Sequence, residues 1–138
     1  MIGLDTNVLA RYYIHDEADQ EAQKQHGLAR SLMESGRALM VCKTVLLEFE
    51  WVMRGYYGFS ATEIATVFHH LLSLEYVSLE DREDIQQAVA NFELGFDFAD
   101  ALHHASYKDC AKMASFDDKK FARRAMRMGL TPVVVVPQ

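Results

Sequence analysis

The feature of this chain that most restricts its fold is the alternation of short apolar segments with longer helical ones. Strands are predicted at residues 2–5, 38–42, 76–79, 112–115 and 132–136. Helical periodicity or a helix-capping pattern fills the stretches between them. Parallel strands need such long connections, and helices then cover both faces of their sheet. The sequence therefore predicts an α/β fold: a single three-layer α/β/α domain over residues 1–138, with a central, mainly parallel sheet.

Capping signals locate several helix ends. Ser60 with Glu63 has the spacing of a capping box, and Asp97 is a predicted N-cap. Either Asp117 or Asp118 caps the last long helix. Thr44 is predicted to open a helix, and the segment Gly55-Tyr56-Tyr57-Gly58 is predicted to break it.

Charge is distributed unevenly along the chain. The net charge of −6 argues against a protein that simply coats nucleic acid. The stretch from Lys108 to Arg127, however, holds seven basic and three acidic residues, which gives a local charge of +4 and leaves −10 on the rest of the chain. A basic helix of this kind is a solvated helix face or a phosphate-binding face. Its candidate phosphate-binding residues, which would contact RNA if the ligand is RNA, are Lys119, Lys120, Arg123 and Arg124.

Cysteine content and hydropathy indicate the compartment. No apolar run approaches the length of a bilayer span, and the N-terminus lacks the pattern of a secretory signal. Cys42 and Cys110 have no disulfide-framework spacing, so they are expected to be reduced, buried thiols. A cytoplasmic location is therefore expected.

Two aspartates are predicted at the ends of strands. Asp5 follows the segment Ile2-Gly3-Leu4, and Asp117, with Asp118 as its alternative, follows the fourth predicted strand. A residue in this position has left the hydrogen-bond ladder and lies at the carboxyl edge of the sheet, where open α/β sheets bind ligands. Parallel strands bring such ends together.

Two glutamates lie on the helix that follows the second strand. Glu50 has Arg54 four residues later, a spacing that favours a surface ion pair. Glu48 is expected on or beside the apolar face, because its helical neighbours are Thr44, Val45, Trp51 and Val52. A buried carboxylate without a partner is costly and needs a cation or several donors. We therefore predict a functional role for Glu48 and a structural role for Glu50.

Asp100 lies one turn inside an apolar helix, where it is either a partner of the helix dipole or a ligand. His103 and His104 follow at three and four residues, so one of them could orient Asp100 or contact a substrate. Asp97 needs no role beyond its cap.

Asp5, Glu48, Asp100 and Asp117 could share one cleft. Four carboxylates would repel one another there unless divalent cations are bound, and all-oxygen ligands suit Mg²⁺ or Mn²⁺. Such a site supports phosphodiester hydrolysis by a metal-activated water.

Three alternatives are weaker. A zinc site built from His69, His70, His103 and His104 with the cysteines lacks any zinc-motif spacing. A second alternative makes Asp5 a phosphoryl-accepting nucleophile, as in haloacid-dehalogenase-like phosphatases. Such enzymes have a second Asp two residues later, and this chain has Asn7 at that position. A non-catalytic binding module that docks a partner peptide in an acidic groove is the remaining possibility.

Four segments resemble the motifs of PIN-domain proteins, specifically the VapC-type toxins of bacterial toxin–antitoxin pairs. They are residues 2–9, 46–54, 98–105, and 114–117 with 121–125, in the family's order and usual spacing. Each motif is weak alone, and together they span essentially the whole chain. Ser115 departs from the pattern, because many relatives have Thr there.

The resemblance implies a Mg²⁺- or Mn²⁺-dependent endoribonuclease, the toxin of a type II pair. It implies that Asp5, Glu48, Asp100 and Asp117 are the catalytic, metal-binding acids, supported by Thr6, Asn7 and Ser115, with Asp118 as the alternate to Asp117 or the cap. The implied partners are RNA and a cognate antitoxin, which inserts a C-terminal segment into the acidic groove, often with an Arg. The family commonly forms homodimers.

Overall fold

The strands are short and all run parallel to their neighbours. The computed structural model describes residues 1–138 and contains β1 (Ile2–Gly3), β2 (Leu39–Val41), β3 (Val77–Leu79), β4 (Lys112–Ala114) and β5 (Val133–Val135). The first three form one sheet in the order β1-β2-β3, and β4 pairs with β5 in another. The predicted α/β class and parallel strands are confirmed, while the hydrogen bonds divide the strands between two open sheets.

Seven α-helices surround these strands. They are α1 (Thr6–Tyr13), α2 (Gln20–Met33), α3 (Lys43–Trp51), α4 (Ala61–Ser73), α5 (Arg82–Glu93), α6 (Phe98–Ser106) and α7 (Arg123–Arg127). None of them combines the length and the apolar composition that a membrane-crossing helix needs. The chain divides into two compact units, Met1–Arg82 and Glu83–Gln138.

The first unit is built around β2, which pairs with a strand on each side. Leu39 and Val41 of this strand are fully buried, as expected for a central strand covered by helices. Helix α1 packs against α2 and α3. The rings of Phe49 and Phe68 meet edge to face with centroids 6.4 Å apart, so aromatic packing fixes α3 against α4.

The second unit has its own aromatic core. Phe92 of α5 meets Phe98 of α6 edge to face at 5.7 Å, and Phe96 meets Phe121 in the same way at 6.3 Å. Phe98 and Phe121 are almost completely buried. Burial of such rings supplies much of the stabilisation available to a unit of this size.

Local capping signals are the best-predicted part of the fold. Ser60 and Glu63 form the predicted capping box, in which each side chain accepts a hydrogen bond from the other residue's backbone N–H. Asp97 accepts from the backbone N–H of Asp100, and Asp117, rather than Asp118, caps the following helical turn. The start of α3 was predicted one residue late, because Cys42 occupies the N-cap without a side-chain hydrogen bond.

The helix that begins as α3 ends within the predicted break at residues 55–58, although it passes Gly55 before it does so. It continues as a π-helical turn over Val52–Tyr56, and the chain turns away only at Gly58, whose φ of +70° favours glycine. A second π-helical turn, Asp118–Ala122, precedes α7. The first of these turns determines which side chains line the candidate site.

Candidate active site

Asp5 is an exposed carboxylate at the start of α1, two residues beyond β1. Its Oδ1 accepts a hydrogen bond from the backbone N–H of Thr6 at 2.8 Å, and the helix N-terminus favours its negative charge. The Thr6 hydroxyl beside it is buried and has no hydrogen-bond partner. This end of β1 therefore offers a charged oxygen ligand with an unused hydroxyl next to it.

Asp5 and Glu48 line the same groove of the first unit. The groove encloses about 340 Å³, and its other lining residues are Thr6, Asn7, Ala10, Arg11, Trp51, Val52, Tyr56 and Tyr57. The structure thus brings together the two acids that the sequence assigned to this part of the chain. It also places the predicted supporting residues Thr6 and Asn7 beside them.

The burial of Glu48 was predicted wrongly. Glu48 is exposed, whereas Glu50 is only 2% exposed. The buried face runs through Leu46, Phe49, Glu50 and Met53, which have the three- and four-residue spacing of a helix stripe, and Glu48 lies outside it. Its exposure leaves the Glu48 carboxylate open to the groove.

The predicted ion pair of Glu50 is confirmed, but it is not a surface pair. Arg54 Nε lies 2.8 Å from Glu50 Oε2, and Nη2 lies 3.3 Å from Oε1, which gives a two-pronged contact. The Glu50 carboxylate is buried, while the Arg54 side chain is half exposed. The role of Glu50 is therefore structural, as predicted.

In the second unit, Asp97, Asp100 and Asp117 form an acidic cluster. The pKa of Asp100 is raised above its usual value, first by partial burial and then by the negative charges of Asp97 and Asp117. His103 opposes this shift. The Ser115 hydroxyl accepts a hydrogen bond from the backbone N–H of Asp117 at 3.1 Å, which holds the backbone at this acid.

Asp118 has a different role from its neighbour. Arg123 donates to Asp118 Oδ2 from both Nε and Nη2, at 3.0 and 2.8 Å. These hydrogen bonds and the Arg123 charge lower the pKa of Asp118. Because Asp118 is neutralised by this pair and Asp117 adds to the field on Asp100, Asp117 is the better candidate for the fourth acid.

Two of the four candidate RNA-binding residues have partners within the protein. Arg123 pairs with Asp118, and Arg124 Nη1 donates to the Gly95 carbonyl at 2.9 Å while its guanidinium lies over the Phe96 ring. Glycine suits position 95, because its φ of +103° is a backbone conformation that other residues rarely adopt. The exposed side chains of Lys119 and Lys120 are the remaining basic candidates.

The histidines and cysteines give no support to the zinc alternative. His104 is buried and donates from Nε2 to the Pro132 carbonyl at 2.7 Å, while His69, His70 and His103 are exposed. Cys42 and Cys110 are free thiols, as predicted, but neither is buried. The prediction of burial was wrong because Cys42 occupies a helix N-cap, where Thr44 Oγ1 lies 3.3 Å from its Sγ, and Cys110 lies in the loop after α6.

The donor chemistry fits a hard divalent cation. Asp5 and Glu48 in the first unit, and Asp100 and Asp117 in the second, offer only oxygen ligands, which Mg²⁺ and Mn²⁺ prefer. The pKa of Asp100 is raised mainly by burial, and a bound cation would oppose the smaller part of the shift that comes from Asp97 and Asp117. The acidic cluster around Asp100 is nevertheless not a grouping of three side chains that could hold a metal ion, and no such grouping occurs elsewhere in the structure.

Comparisons with models of known protein families, with curated proteins and with solved structures returned no significant match.

Sequence reasoning missed the aromatic part of the groove. Trp51 was treated only as a helical neighbour of Glu48, and Tyr56 and Tyr57 were assigned to a helix break, yet all three line the groove beside Asp5 and Glu48. The sequence did contain a signal for it. Two adjacent tyrosines between glycines lie in a turn that cannot bury both rings, which predicts exposed aromatic surface.

Replacement of Asp100 by asparagine is expected to stabilise the protein near neutral pH but not in acid. Since the pKa of Asp100 is raised by folding, the folded state is penalised for carrying its charge. The penalty is absent below the unfolded pKa, near the ordinary value of 3.8, and is complete above the raised folded pKa. The gain of Asp100→Asn over wild type should therefore grow with rising pH, by less than about 1 kcal/mol because solvent screens the site.

Denaturant unfolding of both proteins at several pH values measures this difference. A gain that does not change with pH, or that shrinks as the pH rises, would contradict the raised pKa of Asp100.

Proposed function

We propose that this protein is a Mg²⁺- or Mn²⁺-dependent endoribonuclease of the PIN-domain type and the toxin of a type II toxin–antitoxin pair. The observation that carries the proposal is the groove in which Asp5 and Glu48 meet, with Asp5 at the carboxyl side of a parallel strand. The acidic cluster around Asp100 in the second unit supports it. Both lie in segments that resemble the family's motifs.

Each acid has a role in the proposed reaction. The divalent cation would be held by Asp5, Glu48, Asp100 and Asp117. The supporting polar side chains beside these acids are those of Thr6, Asn7 and Ser115. A cation bound there would polarise the scissile phosphate and lower the pKa of an attacking water. The residues beside the acids would orient the carboxylates and help to position the phosphate.

The biological setting follows from the same resemblance. In the proposal the protein acts in the cytoplasm as a homodimer, and a cognate antitoxin holds it inactive by inserting a C-terminal segment into the acidic groove. A groove lined by two carboxylates suits a basic side chain of such a segment. Lys119 and Lys120, which are exposed, are the residues proposed to guide the RNA backbone.

Single and double substitutions test whether the acids of the two units serve one reaction. Glu48→Gln and Asp100→Asn should each remove most of the cleavage of purified RNA. The double variant should be only slightly less active than the less active of the two single variants. Groups that act as a unit behave in this non-additive way. Glu75→Gln and Asp109→Asn, which change exposed acids of the first and second units, are the matched controls.

If either single variant cleaves RNA at the wild-type rate, the acid that it replaces does not belong to the site. Losses that multiply in the double variant would show that the two acids act independently, which contradicts the proposal.

A further inference from the structure

Three aromatic side chains form one wall of the groove that contains Asp5 and Glu48. This aromatic wall consists of Trp51, Tyr56 and Tyr57. Trp51 is 57% exposed and Tyr56 is 74% exposed, and the rings of Tyr56 and Tyr57 meet edge to face with centroids 4.8 Å apart. Isolated exposed apolar residues are ordinary, but a group of them in one groove marks a binding surface.

The π-helical turn Val52–Tyr56 holds the aromatic wall in place. Gly55 lies against the Trp51 indole, since a Cβ at that position would be 3.4 Å from Trp51 Cε2. The indole therefore lies along the turn, in van der Waals range of Gly55. Turns of this type often occur at functional sites.

A basic side chain completes the groove. Arg11 Nε donates to Gln25 Oε1 at 2.9 Å, and Arg11 Nη1 donates to the Tyr57 hydroxyl at 3.4 Å. These contacts hold the guanidinium among the lining residues, next to the aromatic wall. An arginine held in this way is well suited to bind phosphate.

We infer that the aromatic wall stacks the unpaired bases of a single-stranded RNA and so positions its backbone at Asp5 and Glu48. The inference rests on the proposed function for the identity of the polymer. Proteins that bind single strands combine aromatic faces for the bases with positive charge for the backbone, and this groove holds both beside the proposed catalytic acids. Bases inside a duplex are already stacked, so double-stranded RNA does not use the aromatic wall.

The single tryptophan of the chain reports this contact directly. We would titrate the Asp100→Asn variant, in the presence of Mg²⁺, with a fluorescently labelled single-stranded RNA of mixed sequence. This variant is chosen to prevent cleavage, and its substitution lies in the second unit, outside the groove lining. Trp51 emission is followed together with the anisotropy of the label, which reports binding by any route.

We expect the RNA to quench Trp51 emission at the concentrations that raise the anisotropy, and a matched duplex to leave the emission unchanged. Tyr56→Leu should weaken RNA binding by about tenfold, within the range measured for the loss of one stacking partner. Tyr107→Leu, which changes an exposed ring in the second unit, is the control and should bind as Asp100→Asn does.

Binding without quenching, or equal weakening by Tyr56→Leu and Tyr107→Leu, would overturn the stacking inference whether or not the wild type cleaves RNA. Quenching by a basic peptide but not by RNA would also overturn it and assign the groove to a protein partner. Quenching by RNA together with a wild type that cleaves no RNA would uphold the inference and contradict only the proposed nuclease activity.

Discussion

Asp5→Asn is expected to abolish RNA cleavage while leaving the fold intact. Asparagine caps helices about as well as aspartate and can keep the hydrogen bond from the Thr6 N–H, so the melting temperature should stay close to that of the wild type. The substitution removes the charge with which Asp5 would bind a divalent cation. Because a bound cation supplies several kcal/mol of transition-state stabilisation, we expect cleavage to fall by about a hundredfold or more.

The chain provides a closely matched control for this substitution. Asp19 is also an exposed N-cap aspartate of the first unit, whose Oδ1 accepts from the backbone N–H groups of Glu21 and Ala22. It does not line the groove. Asp19→Asn should therefore match Asp5→Asn in melting temperature and the wild type in cleavage. An Asp5→Asn protein that cleaves RNA at the wild-type rate would remove Asp5 from the site.

Arg54→Met is expected to cause the largest loss of stability. It would leave the Glu50 carboxylate buried without its ion-pair partner, and an uncompensated buried charge is strongly destabilising. Because the Arg54 side chain is itself half exposed, we expect the free energy of unfolding to fall by about 2–3 kcal/mol. Denaturant unfolding of the two proteins at neutral pH measures the difference.

An exposed pair of the same spacing is the control for Arg54→Met. Arg30 and Glu34 are also four residues apart, with Arg30 Nε 3.2 Å from Glu34 Oε1, but both side chains are exposed. Arg30→Met should cost less than about 0.5 kcal/mol. The double variant Glu50→Met, Arg54→Met should regain most of the loss, since it leaves no buried charge. Equal costs for Arg54→Met and Arg30→Met would contradict the buried position of Glu50.

The parts of the fold that depend on local signals were predictable from the sequence. Ser60 with Glu63, and Asp97, satisfy backbone N–H groups within a few residues of themselves, so their spacing alone specifies the helix start. The alternation of strands and helices likewise specified parallel pairing. The division of the strands between two sheets depends on long-range hydrogen bonds, which no local pattern encodes.

The candidate site was only partly predictable. Asp5 was recognisable because it follows a strand. The burial of the two glutamates was predicted the wrong way round, since Glu48 is exposed and Glu50 is buried. The apolar face was expected at Val45 and Val52, next to Glu48, whereas the structure buries Leu46, Phe49 and Met53. The ion pair with Arg54 lets Glu50 join that buried face. The aromatic wall was missed because glycines 55 and 58 predicted a break where a π-helical turn continues the helix.

Chelation and rescue of RNA cleavage by the purified protein is the most direct test of the proposed metal-dependent nuclease. We expect wild-type protein to leave single-stranded RNA intact in excess EDTA and to cleave it once Mg²⁺ or Mn²⁺ is restored, while Asp5→Asn and Asp100→Asn stay inactive under both conditions. Cleavage that persists in the chelator, or an absence of cleavage with every divalent cation supplied, would contradict it.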